Sequence, residues 1–136
     1  MKALGLFFVM ALISGVLGYS ESFGAAGSDT TQTVSGGGVT AKVTYLNPKT
    51  GDDPRFQVAL DTHSVALDGY DLKSLSVLRD DTGKTYMPSA VENKGSGHHR
   101  ESILIFPKLS PAVKRLEIVI KDVAGVKERT FRWNLE

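Results

Sequence analysis

The three histidines of this chain fall in two short stretches. His63 closes the run Phe56–Ser64 (FQVALDTHS), and His98 and His99 stand in Gly97-His98-His99-Arg100. Imidazoles beside a carboxylate are the donors that Zn(II) and Cu(II) take. Phe56, Val58 and Leu60 alternate with Gln57, Ala59 and Asp61, the period of a strand with one face buried. Asp61 and His63 continue the outward-facing parity. The candidate metal ligands are therefore Asp61, His63, His98 and His99, with Cu or Zn as the ion, if folding joins the two stretches. Adjacent residues of a strand point to opposite faces, so His98 and His99 are poorly placed to share one ion. The competing expectation is structural. Asp61 pairs across strands with Arg100, Thr62 and Ser64 hydrogen-bond the backbone of the bend, and the histidines are loop residues.

The elements that would join them are strands. Val39, Ala41, Val43 and Tyr45 alternate with polar residues, and Asn47–Pro54 is a dense turn signal before Phe56. Val65–Leu72 reads as an ordered crossover. Leu75–Arg79 and Lys84–Pro88 flank Asp80-Asp81-Thr82-Gly83, a hairpin cue. Val91–Gly97 reads as a polar loop. Glu101–Phe106 is β-prone and closed by Pro107. Leu116, Ile118 and Ile120 alternate, as do Phe131, Trp133 and Leu135, across a turn at Asp122–Gly125. No stretch of helical periodicity follows the first 26 residues. Seven short strands at this spacing predict an all-β, two-sheet antiparallel Ig-like sandwich, with a small barrel as the alternative. In Ig order the second and fifth strands are antiparallel neighbours, which brings His63 near His98 and His99 at one rim. Trp133, on the apolar parity, is expected in the core.

Met1-Lys2 followed by the apolar run Ala3–Gly18 and then Gly24-Ala25-Ala26 has the pattern of a signal peptide, residues 1–26. The run is shorter than the roughly 20 residues of a membrane span. Residues 27–38, rich in Gly, Ser and Thr, read as a flexible leader, and 39–136 as the sandwich domain. The expected location is periplasmic or secreted, with no membrane span after cleavage. With no cysteine, neither disulfides nor lipid attachment at cysteine is available. Loss of residues 1–26 removes one lysine and one glutamate and leaves the formal net charge at +1. That balance, and the lack of basic runs, argues against nucleic acid. Lys114-Arg115 and the spread Lys127, Arg129 and Arg132 read as solvated strand faces.

Enzymatic chemistry finds little support. A serine, a histidine and an aspartate exist, but no Gly-x-Ser-x-Gly elbow presents the serine. Asp52-Asp53 and Asp80-Asp81 lie in turns, where aspartates serve as turn formers. Asp80–Gly83 is too short for an EF-hand loop.

The ordered trio LDTHSVAL, LRDDTGKTY and GHHRESILIFP resembles a set of uncharacterised secreted bacterial domains. In these a DTHS strand end, a DDxGxxY hairpin and a GHHRxxxLxF strand recur in that order. The resemblance covers about Val39–Pro107. It implies an exported β-domain and brings no activity with it. The expected function is a non-enzymatic binding domain of the cell envelope, with another envelope or extracellular protein as partner. A metal-binding protein using the histidine rim is the alternative.

Overall fold

The computed structural model describes residues 30–95 and 97–135; the expected signal segment, 1–26, lies outside them. Along the chain come β1 (Thr31–Gly36), β2 (Val39–Tyr45), β3 (Arg55–Thr62), the single turn α1 (Leu72–Leu75) and β4 (Ser76–Asp80). β5 (Thr85–Tyr86), β6 (Ala90–Asn93), β7 (His99–Ile105), β8 (Arg115–Val123) and β9 (Val126–Asn134) follow. One sheet has the order β1-β2-β3-β7-β6 and the other β5-β4-β8-β9, with every pairing antiparallel. Read as A-B-E-D for β2-β3-β7-β6 and C-F-G for β4-β8-β9, this is the Ig-like strand order. β5 extends the second sheet, and β1 is added outside β2.

The described residues form nine strands where the sequence predicts seven, and both additions are sheet edges. β1 lies in the Gly/Ser/Thr stretch read as a flexible leader. Gly37 and Gly38 have φ of 62° and 77°, so the glycines form a two-residue hairpin turn rather than a linker. The turn folds Thr31–Gly36 onto β2 with six residues in register. β6 occupies part of the segment read as a polar loop. It pairs only with β7, and an edge strand with no buried residue shows no two-residue apolar period.

Between the sheets, Val39, Ala41, Val43, Tyr45, Phe56, Val58 and Leu60 face Leu78, Leu116, Ile118, Ile120, Phe131 and Trp133, all buried. The end away from the histidines is aromatic. Tyr45 stacks on Phe56 with centroids 4.4 Å apart, and Trp133 lies 5.1 Å from Phe56. Burial there raises the Tyr45 pKa above its ordinary value. Trp133 is in the core as expected, and its indole N–H donates to the Thr30 carbonyl at 3.0 Å.

The hairpin predicted at Asp80–Gly83 forms around the Asp80 carboxylate. Oδ1 accepts from the Thr82 amide at 2.9 Å, the Thr82 hydroxyl at 2.6 Å and the Lys84 amide at 3.1 Å. Oδ2 accepts from the Tyr86 hydroxyl at 2.8 Å. Burial alone would raise the Asp80 pKa, but the hydrogen bonds outweigh it and the pKa lies below its ordinary value. Burial, together with the neighbouring carboxylate, raises that of Tyr86.

Candidate binding site at the loop end

β3 and β7 pair in a register that sets Asp61 opposite His99, and the ladder continues with the Thr62 amide donating to the His98 carbonyl at 3.0 Å. The two histidine-bearing stretches are therefore neighbours at one end of the sandwich. Three further connections meet there: the Gly37-Gly38 turn, the crossover 63–71 and the β8–β9 turn at Ala124-Gly125. A Cβ on Gly37 would stand 2.3 Å from the Ala124 carbonyl oxygen, so two of these turns are in direct backbone contact.

Individual side chains distribute as follows. Asp61 Oδ1 lies 2.5 Å from His99 Nδ1, and both groups are well exposed, 50% and 77%. His63 and His98 are exposed. Among the described residues, no group of three or more His, Cys, Asp or Glu side chains is placed to hold a metal ion. Thr62, between Asp61 and His63, is buried. Its hydroxyl donates to the Gly38 carbonyl at 2.8 Å and accepts from the Ser64 and Val65 amides, as the structural reading expected of the bend.

Arg100 departs from its expected role. It does not pair with Asp61, because Asp61 and His99 occupy the outer face while Arg100 stands opposite Leu60 on the inner one. It is 8% exposed. Its guanidinium donates to the carbonyls of Leu67, at 2.9 Å, and of Tyr70, and reaches toward Asn93 Oδ1 at 3.5 Å. Asn93 Oδ1 also accepts from the Ser102 hydroxyl at 2.8 Å. Thus Arg100 ties the crossover to β7 and β6 from inside the sandwich.

Arg129 departs more sharply. The sequence pattern places it on a solvated strand face, yet only 1% of it is exposed. It donates to the Val123 carbonyl at 2.7 Å and the Gly36 carbonyl at 2.6 Å. Its Nε has no partner among the described residues. Desolvation lowers its pKa, and the nearby Tyr70 opposes that shift. Tyr70 completes the arrangement by accepting from the Ala124 amide at 3.1 Å. Ala124 has φ of 52° and Asp122 of 55°, a left-handed backbone that non-glycine residues adopt at a cost. Asp68 Oδ1 accepts from the Gly97 amide at 2.9 Å and joins the crossover to the loop before β7.

Sequence reasoning gives Arg100 a different partner and Arg129 an exposed face, and it marks no role for Tyr70 or Asp68. A signal existed for the arginines: Arg129 continues the inward parity of Phe131 and Trp133, and Arg100 that of Ser102 and Leu104. No comparable signal marks Tyr70 or Asp68 within the irregular crossover.

No family model matches the chain, and no curated protein or solved structure does. The fold and the loop-end geometry define an Ig-like β-sandwich whose connections at one end are fastened together by buried polar side chains.

Proposed function

We propose that the protein is an exported, non-enzymatic Ig-like binding domain of the bacterial cell envelope, which takes another envelope or extracellular protein on its histidine-bearing loop end. One observation carries this reading. Two buried guanidiniums hold the loops: Arg100 binds Leu67 and Tyr70, and Arg129 binds Val123 and Gly36. Loops fixed before binding lose less conformational freedom when a partner arrives. The surface they present is polar, with Asp61, His63, Asp68, His98, His99 and Asp122 exposed. Loops clustered at one end of a rigid sandwich are where such folds carry recognition. Among the described residues no helix is long and apolar enough to cross a membrane.

Photo-crosslinking tests this. A photoreactive residue at position 98 should trap one discrete partner in the producing cells, and the same residue at position 49, in the β2–β3 loop at the opposite end, should not. Equal trapping from both positions, or none from position 98, would remove the reading.

A further inference from the structure

Four strands end the two sheets: β1 and β6 in the first, β5 and β9 in the second. β1 and β9 close on each other. The Gln32 carboxamide of β1 accepts from the Arg132 amide at 2.9 Å and donates to the Arg132 carbonyl, so it meets the β9 edge as a neighbouring strand would. The Trp133 indole crosses the same seam to the Thr30 carbonyl at 3.0 Å. β5 has two residues, too short an edge to take a further strand. Among the described residues, β6 is the edge left. We propose that β6 pairs antiparallel with β6 of a second copy of this chain across a two-fold axis, with Glu92 of each copy opposite Lys94 of the other. The first sheets of the two copies then become one. This pairing lies on the flank of the sandwich and does not rest on the loop-end reading.

In an antiparallel pair, residues alternate between exchanging both backbone hydrogen bonds with the residue opposite and exchanging none. The Lys94 amide donates to the Glu101 carbonyl at 2.8 Å. Lys94 and Glu92 are therefore bonded to β7, whereas the N–H and C=O groups of Val91 and Asn93 point away from it. Glu92 and Asn93 are exposed, and Ala90 and Val91 are half-buried. A ladder forms only when these outward groups meet each other, so the two-fold axis sits at Val91, Glu92 or Asn93. An axis at Val91 sets Asn93 against Ser89, whose amide is turned toward β7 and donates to the Ile105 carbonyl at 2.7 Å. An axis at Glu92 sets two carboxylates face to face, which is destabilising. An axis at Asn93 sets Val91 against Gly95 and Glu92 against Lys94, in both directions. Arg55 stands 3.4 Å from Glu92 within its own chain, so each carboxylate then lies between two cations.

An edge of four residues buries less than the roughly 1,200 Å² of a standard interface, so the pairing is weak and shows at high protein concentration. The full chain is followed by sedimentation equilibrium up to about 1 mM and by amide exchange at Val91 and Asn93. The expected result is a monomer–dimer equilibrium in which protection of these two amides rises with concentration. Glu92→Lys and Lys94→Glu should each weaken association about tenfold, because each sets like charges opposite one another at both ends of the pairing. Mixed in equal amounts, the two variants should pair with each other as tightly as wild type pairs with itself. A single monomeric species at every concentration would overturn the proposal, as would a dimer in which Val91 and Asn93 exchange freely. So would wild-type association in either variant alone, or a mixture that associates no better than its components.

Discussion

Asp61 and His99, 38 positions apart in sequence, face each other across β3 and β7 with Nδ1 2.5 Å from Oδ1. Both side chains stand on the outer face, with water on their far sides. An exposed pair of this kind contributes under about 1 kcal/mol to stability. Asp61→Asn and His99→Ala should therefore leave the denaturant midpoint nearly unchanged. A loss of several kcal/mol would show that the pair belongs to the framework and not to the surface.

The buried arginines behave differently. Arg129→Met keeps much of the volume but leaves the Val123 and Gly36 carbonyls without their donor. Each orphaned buried acceptor costs about 1–3 kcal/mol, so the variant should lose about 2–6 kcal/mol in urea unfolding. Arg129→Lys restores part of the donation and should fall between the two. A midpoint for Arg129→Met equal to that of wild type would contradict the role given to this side chain.

Gly37 and Gly125 offer a paired test of loop contact. Both have positive φ, 62° and 75°. A Cβ at Gly37 would meet the Ala124 oxygen at 2.3 Å, whereas at Gly125 it meets nothing within 4 Å. Gly125→Ala should cost about 1–2 kcal/mol from backbone conformation alone. Gly37→Ala should cost more and loosen β1, seen as faster amide exchange across Thr31–Gly36. Equal costs at the two positions would mean that the turns do not touch.

The two-sheet architecture was legible in the sequence because the strands that build the core alternate strictly, as Phe56–Leu60 and Phe131–Leu135 do. β1 and β6 were not, since edge strands bury too little to show a period. That the two histidine-bearing stretches are neighbours follows from strand order, and the register of Asp61 with His99 bears it out. Arg100 and Arg129 escape the sequence pattern for one reason: charge suggests solvent exposure, whereas their parity places them inside. Their partners are mostly backbone carbonyls at strand ends and in the crossover (Val123, Gly36, Leu67 and Tyr70), and no sequence pattern names those.

Asp80 and Tyr86 give stability its pH limits. The Asp80 pKa in the folded state lies below its ordinary value of 3.8, so its contribution is complete above that pH and is lost as pH falls through the lowered value. The Tyr86 pKa lies above its ordinary 10.0, so its contribution is complete below pH 10.0 and is lost as pH rises through the raised value. Asp80→Ala should cost about 2–3 kcal/mol at neutral pH and flatten the acid limb of a stability profile. An acid limb unchanged in Asp80→Ala would place the responsible carboxylate elsewhere.

The account rests on a loop end fixed before any partner arrives, and the Ala124 amide reports on it most directly. This N–H sits in a two-residue turn, where among the described residues the Tyr70 hydroxyl holds it. Hydrogen exchange resolved at Ala124 should show strong protection in wild type and a large loss of it in Arg129→Met. Exchange at the rate of an unstructured peptide in wild type would contradict the account.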